Sequence, residues 1–191
     1  MGPIPTLIFL FVVAGGFIYL GTIYNGLVAM RNDINKSWAN IDVLLKQRHD
    51  ELPRLLDVCK GYMQYERETL QRLIEARSRY ATAVNIDQKA KASGDLSASV
   101  GKLFAVAENY PALQANASFL ELEKRISELE SQIADRREFY NDAINLFNTR
   151  IQQMPDAPVA RFFGFQPRLM FQVAPAEKSP VSVALGSPGP R

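Results

Sequence analysis

The sequence predicts an all-α protein: an N-terminal transmembrane helix that continues into an elongated antiparallel helical bundle with long, coiled-coil-like helices. Three observations predict it. From Ile4 to Ile23 no side chain is charged, and about 20 apolar residues suffice to cross a hydrocarbon core. Two long segments further on carry apolar residues in steps of three and four, the period of a helix with one buried stripe. Finally, the apolar run LFVVAGGFIYLGTIYNGL passes into the charged, periodic pattern with no proline or obvious loop between them. One helix is therefore expected to leave the membrane and become the spine of the bundle.

The anchor is assigned to residues 1–24. Ile4, Leu7, Phe11, Phe17, Ile18 and Ile23 supply its apolar surface, and Tyr19 and Tyr24 suit the headgroup level, where aromatic rings concentrate. A cleavable signal peptide wants basic residues before the apolar stretch and a small-x-small site after it. Here no Lys or Arg precedes Ile4, and Gly21-Thr22-Ile23 is a poor site, so an uncleaved anchor is expected. Arg31 and Lys36 follow within the window that governs orientation, favouring a cytoplasmic location for the bulk of the chain. Met1-Gly2 to Thr6 matches a myristoylation pattern, but a span directly behind it makes a lipid anchor redundant.

The bundle is assigned to residues 25–154. Its first seam runs Leu27, Met30, Ile34, Trp38, Ile41, Leu45, Leu52, Leu55, Cys59 and Tyr62, with Arg48 in a seam position. Pro53 lies inside this run, removes one backbone donor and frees the carbonyl of His49, so a kink is expected there. The pattern resumes through Leu70, Leu73, Ala76, Tyr80 and Ala83, and Ser93-Gly94-Asp95 reads as a break. A shorter helix is predicted from Ala98 to Asn109, interrupted at Tyr110-Pro111. Ser118 and Glu121 have the form of a capping box ahead of the second seam: Phe119, Leu122, Ile126, Leu129, Ile133, Arg136, Tyr140, Ala143, Phe147, Ile151 and Met154. On its solvated side, Glu121 and Arg125 make an acid-before-base pair one turn apart.

The two seams are expected to meet as the core of one antiparallel bundle, leaving flanks with Tyr62, Tyr65 and Tyr80 for neighbours. Asn141, Asn145 and Asn148, beside Tyr140, share a helix face and are expected to hydrogen-bond across the bundle and set its register. Pro155 and Pro158 should end the second long helix. Residues 155–173 then form an aromatic, proline-containing segment, with Phe162, Phe163 and Phe165 as a candidate patch for another subunit or the bilayer surface. The Pro, Ala, Ser and Gly of residues 174–191 have little to bury and are expected to be disordered.

Composition excludes several functions. Lys plus Arg number 22 against 20 for Asp plus Glu, and the two signs are interleaved, leaving no basic stripe for nucleic acid. The single cysteine, Cys59, permits no internal disulfide and suits a packed thiol. His49, the only histidine, has no ligand partner at helical spacing: Glu51 points elsewhere and position 53 is proline. It is read as a surface histidine. With no P-loop, GxGxxG, HExxH, GxSxG or EF-hand loop in the chain, no catalytic, metal or cofactor-binding residues are expected, and no enzyme.

Four segments resemble the LemA family of bacterial membrane-anchored proteins: YNGLVAMRNDINKSWANIDVLLKQRHDELPRLLDVCKGY from Tyr24, ERETLQRLIEARSRY from Glu66, YPALQANASFLELEKRISELESQIADRREFYNDAINLFNTRI from Tyr110, and VARFFGFQPR from Val159. Trp38, Arg48, Pro53, Tyr62, Phe119, Ile133, Tyr140, Asn141, Asn148 and Phe162 stand where that pattern has recurrent residues. The resemblance implies an elongated antiparallel helical bundle behind a single N-terminal anchor in the bacterial inner membrane; no catalytic activity is established for the family, and one relative is associated with forming magnetosome membranes. Two functions are expected from this. The first is a self-assembling scaffold of many copies that organises or remodels the bilayer. The alternative is a tethered adaptor that recruits a cytoplasmic protein through its helical flank or Phe-rich patch.

Overall fold

The first helix runs without interruption from Pro3 to Tyr62 (α1). It appears in a computed structural model that describes residues 3–171; the expected disordered tail and the myristoylation glycine lie outside the described residues. At 1.5 Å per residue α1 is about 90 Å long. Residues 4–22 are exposed on all sides, a length of about 28 Å that matches the hydrocarbon core of a bilayer. By length and composition this end of α1 is able to cross a membrane. At Ile23 burial begins, and the inward row then continues through Leu27, Ile34, Ile41, Leu45, Arg48, Leu52, Leu55 and Cys59, with Met30 and Trp38 partly buried between them. These steps average about 3.6 residues, the natural pitch, so the seam stays on one side of a straight helix without needing a supercoil.

Five further helices follow: α2 (Arg67–Thr82), α3 (Ile86–Ala107), α4 (Pro111–Gln114), α5 (Ala117–Arg150) and α6 (Asp156–Phe162). Among the described residues there is no strand. The long helix α5 packs antiparallel to α1, as opposed residues show. Arg125 Nε meets Glu51 Oε1 at 2.6 Å, Glu130 meets Arg48, Tyr140 meets Trp38, and Arg150 reaches Met30 Sδ at 3.6 Å. At the same level a Cβ on Gly26 would come within 3.3 Å of Arg150 Nη2, so the absence of a side chain lets the guanidinium lie across α1.

The α2–α3 hairpin covers only the distal half. Lys89 Nζ pairs with Asp42 Oδ1 at 2.6 Å at its near end, and the Tyr110 hydroxyl donates to Glu66 Oε1 at 3.1 Å at its far end. From about Asp42 to Tyr62, α1 is thus one of four antiparallel helices. From Ile23 to Ile41 it pairs with α5 and is closed by α6 and the segment that ends at Phe171, in a core that is continuous from Ile23 to that ring.

Several boundaries differ from the expectations. The chain breaks at Met63–Glu66 and Ala83–Asn85, whereas Ser93-Gly94-Asp95 lies inside α3. Ala90, Ser93, Leu96, Val100, Leu103 and Ala107 form its buried face; small and polar residues in that stripe hide its period, and packing offsets the helical cost of Gly94, about 1 kcal/mol. The N-cap of α5 is Asn116, whose Oδ1 accepts from Phe119 N at 3.0 Å, not Ser118. In the second seam Arg137 is buried instead of Arg136, Ile144 is buried with Ala143 partly buried against the core beside it, and Met154 is exposed. α5 ends at Arg150, ahead of Pro155. Pro158 does not terminate a helix but sits in the first turn of α6, where its missing N–H costs nothing.

Candidate functional site

Among the residues expected to set core and register, Arg48 is the most constrained. Its side chain is fully buried, and its Nη1 donates to Glu130 Oε1 at 2.6 Å and Ser97 Oγ at 2.7 Å. Its Nη2 donates to Ser93 Oγ at 2.9 Å. Arg137 Nη2 reaches the same Ser93 oxygen at 2.8 Å, and Ser97 Oγ donates to Glu130 Oε2 at 2.8 Å. The network joins α1, α3 and α5 across the middle of the molecule. A buried guanidinium survives there because a carboxylate and two hydroxyls replace its lost water. Of its members only Arg48 was expected; Ser93 was masked by the apparent break.

Pro53 leaves α1 unbroken. The carbonyl of His49 that it frees accepts from Arg77 Nε on α2 at 3.4 Å, so the lost backbone bond is replaced from a neighbouring helix. Trp38 and Tyr140 face each other with ring centroids 5.8 Å apart; Phe119 is buried edge-on to Phe104 at 6.3 Å; Ile133 is fully buried. The Tyr62 ring is exposed, and its hydroxyl accepts from Asn116 Nδ2 at 3.1 Å. Tyr80, expected on a flank, is buried instead, and burial, with Asp42 and Asp50 nearby, pushes its hydroxyl up to about 12. His49 is half-buried rather than fully on the surface: its Nδ1 lies 3.3 Å from Asp50 Oδ1, its ring lies 5.6 Å from that of Tyr80, and its Nε2 is buried with no hydrogen-bond partner among the described residues. Arg125 reaches Glu51 on α1 in place of the expected Glu121.

The asparagines bond to the C-terminal segment rather than across the bundle. Asn141 accepts from Phe171 N at 2.7 Å and donates to Phe171 O at 3.1 Å. Asn148 does the same to Arg168, at 2.8 Å each way. Seven helical residues span about 10 Å, the reach of three extended ones, so two side-chain amides two turns apart bind an extended strap as a strand would. Asn145 faces solvent and takes no part. The strap lays Phe171 against Trp38, with centroids 6.1 Å apart, and under the Arg137 guanidinium at 4.5 Å.

The expected anchor divides at Thr22. Ile4, Leu7, Phe11, Phe17, Ile18 and Tyr19 are exposed. Ile23 and Tyr24, by contrast, belong to the bundle: Ile23 is buried, and the Tyr24 ring packs on Phe163 at 4.5 Å and Phe165 at 6.0 Å. The candidate patch is therefore not uniform. Phe165 is half-buried between Tyr24, Phe147 and the Arg31 guanidinium; Phe163 is partly covered; only Phe162, 83% exposed, is free of the core. Sequence reasoning missed the company this patch keeps, because nothing local links residue 163 to residue 24. On the outer face of α5 in the same half, Phe139 and Leu146 are 61% and 62% exposed. They lie two turns apart on one side. A shallow notch of about 230 Å³ follows, lined by Leu146, Arg150, Met154 and Asp156.

A family profile described as the LemA family matches residues 37–185. The chain is similar to protein LemA of Metamycoplasma hominis, 28% identical over 195 residues that cover 95% of this chain and 87% of that protein. It is also similar to magnetosome proteins MamQ 2 and MamQ 1 of Paramagnetospirillum magneticum, each 24% identical over 184 residues, 83% of this chain and 68% of theirs.

Proposed function

Given that this chain belongs to the LemA family, we propose that it is a membrane-anchored, self-assembling scaffold that organises or remodels the bacterial inner membrane, with its bundle in the cytoplasm. The observation that carries the reading is α1 itself, one unbroken helix shared by a span-length exposed segment and a bundle core. A rod rooted in this way has no hinge through which its bundle tumbles. Copies in one bilayer share orientation and plane, so weak lateral contacts act at high effective concentration. Phe139 and Leu146, on the half of α5 nearest the exposed segment, supply an apolar surface for such contacts. The similarity to magnetosome proteins supports a role at a membrane.

The test is imaging and chemical crosslinking of the full-length protein. Rings, filaments or arrays, and a ladder of self-products, are expected; the Leu146→Lys variant should shorten the ladder without unfolding the bundle, because the side chain is exposed. A monomer at every concentration, in membranes indistinguishable from controls, overturns the reading. The adaptor alternative keeps the helical flank as its surface, since two of the three patch phenylalanines are engaged with Tyr24. It predicts one dominant hetero-product in place of a ladder.

A further inference from the structure

The end of the bundle beside the exposed run of α1 presents side chains that the fold does not use. Met154, in the turn between α5 and α6, is 79% exposed, and Phe162 closes α6 with its ring 83% exposed. Phe162 is held edge-on against Phe163, centroids 5.1 Å apart, and Phe163 stacks on Tyr24. This chain of rings ties Phe162 to a fixed height on α1. Tyr24 is two residues beyond Thr22, the last residue of the exposed run, a rise of about 3 Å. Arginine accompanies the aromatics. Arg161 precedes Phe162 and faces solvent, Arg31 lies over the Phe165 ring at 5.6 Å, and Arg150 pairs with Asp156 at 2.5 Å.

We infer that this end of the bundle is a second membrane contact: Phe162 and Met154 lie in the headgroup–acyl boundary of the bilayer that α1 crosses, with Arg161 among the lipid phosphates. The occupant follows from continuity. If residues 4–22 are in lipid, Tyr24 is at the interface, and the rings stacked on it are there too, in the layer where amphipathic aromatic and cationic side chains are stable. Apolar tips beside the helix exit with guanidiniums around them reproduce the order of that layer. With α1 alone the rod is free to lean; a second contact on α6 sets its tilt and marks the side toward which it leans. The inference rests on the anchored reading proposed above.

Depth-dependent fluorescence quenching separates the two. Phe162→Trp, Met154→Trp, Phe17→Trp and Tyr65→Trp are introduced singly into the full chain, reconstituted in vesicles of phosphatidylcholine and phosphatidylglycerol carrying bromine near the headgroup end of the acyl chains. The parent, with Trp38 alone, supplies the baseline. Phe162→Trp and Met154→Trp should show blue-shifted emission and clear quenching, while Tyr65→Trp, 95% exposed at the far end, shows neither. If Phe17→Trp is quenched and both reporters at the base behave like Tyr65→Trp, the anchor stands and this inference falls. Blue shift at the base without quenching means that protein, not lipid, covers these side chains, and also overturns it. Loss of quenching at position 17 overturns both readings.

Discussion

Arg48 is the residue on which the middle of the molecule depends, because its charge is buried and its partners come from two other helices. Glu130→Ala removes the only carboxylate paired with it among the described residues and leaves the guanidinium with serine oxygens. The expected cost is about 3 kcal/mol, the lower end for a broken buried pair because Glu130 keeps some solvent, read as a lowered midpoint in thermal unfolding by circular dichroism. Cys59 is the opposite case, a buried thiol with no bonding partner among the described residues. Burial pushes its thiol from 9.0 up to about 11, so the core holds the neutral form. Its contribution to stability is complete below pH 9 and is lost as pH rises toward 11. Ellman's reagent at pH 8 should leave the folded protein unmodified and titrate one thiol after unfolding. Cys59 and Arg48 both occupy the helical stripe and were legible in sequence. Ser93, Glu130 and Arg137 were not, because a serine or an arginine at a helix position says nothing of itself about burial until a partner four dozen residues away faces it.

Among the elements, the strap along α5 is the least foreseeable and the easiest to undo. Its residues 168–171 gain their place from four hydrogen bonds to two asparagines and from the stacking of Phe171. Asn141→Ala with Asn148→Ala should release it with the helices intact: trypsin cleavage after Arg168 accelerates several-fold, and Trp38, no longer covered by Phe171, shifts its emission to the red. Unchanged cleavage would show that the rings alone hold the strap. The common face of these asparagines was evident from spacing. What they bind was not, since an amide that mimics a peptide group serves another helix and an extended chain equally well. The two long helices were legible for the plain reason that their seams are apolar and periodic over many turns. α3 was legible only in its second half, from Ala98; its first half was not, because alanine and serine on its inner face let it pack closely while giving no hydropathy contrast.

For the whole molecule, the decisive feature is that burial starts at Ile23 with no break in backbone helicity, so the exposed run and the bundle share one axis. Had Asn25-Gly26 opened into a loop, the same bundle would hang from its anchor with no preferred attitude. The sequence pointed to this continuity only through the absence of a proline between Leu20 and Asn35; the turn-prone pair Asn25-Gly26 left it open, and the structure carries the helix through it. An α-helix also turns by a fixed amount at every residue. Inserting one alanine after Gly21 should therefore swing the flank with Phe139 and Leu146 about 100° around the rod, whereas four inserted alanines return it within about 40° of its starting azimuth. If copies meet through that flank, crosslinked products should fall with one or two insertions and recover with four. A steady decline would mean that only distance matters. The anchor is then a compass bearing as much as a root: the phase of a few residues at its exit decides which way every copy faces its neighbours.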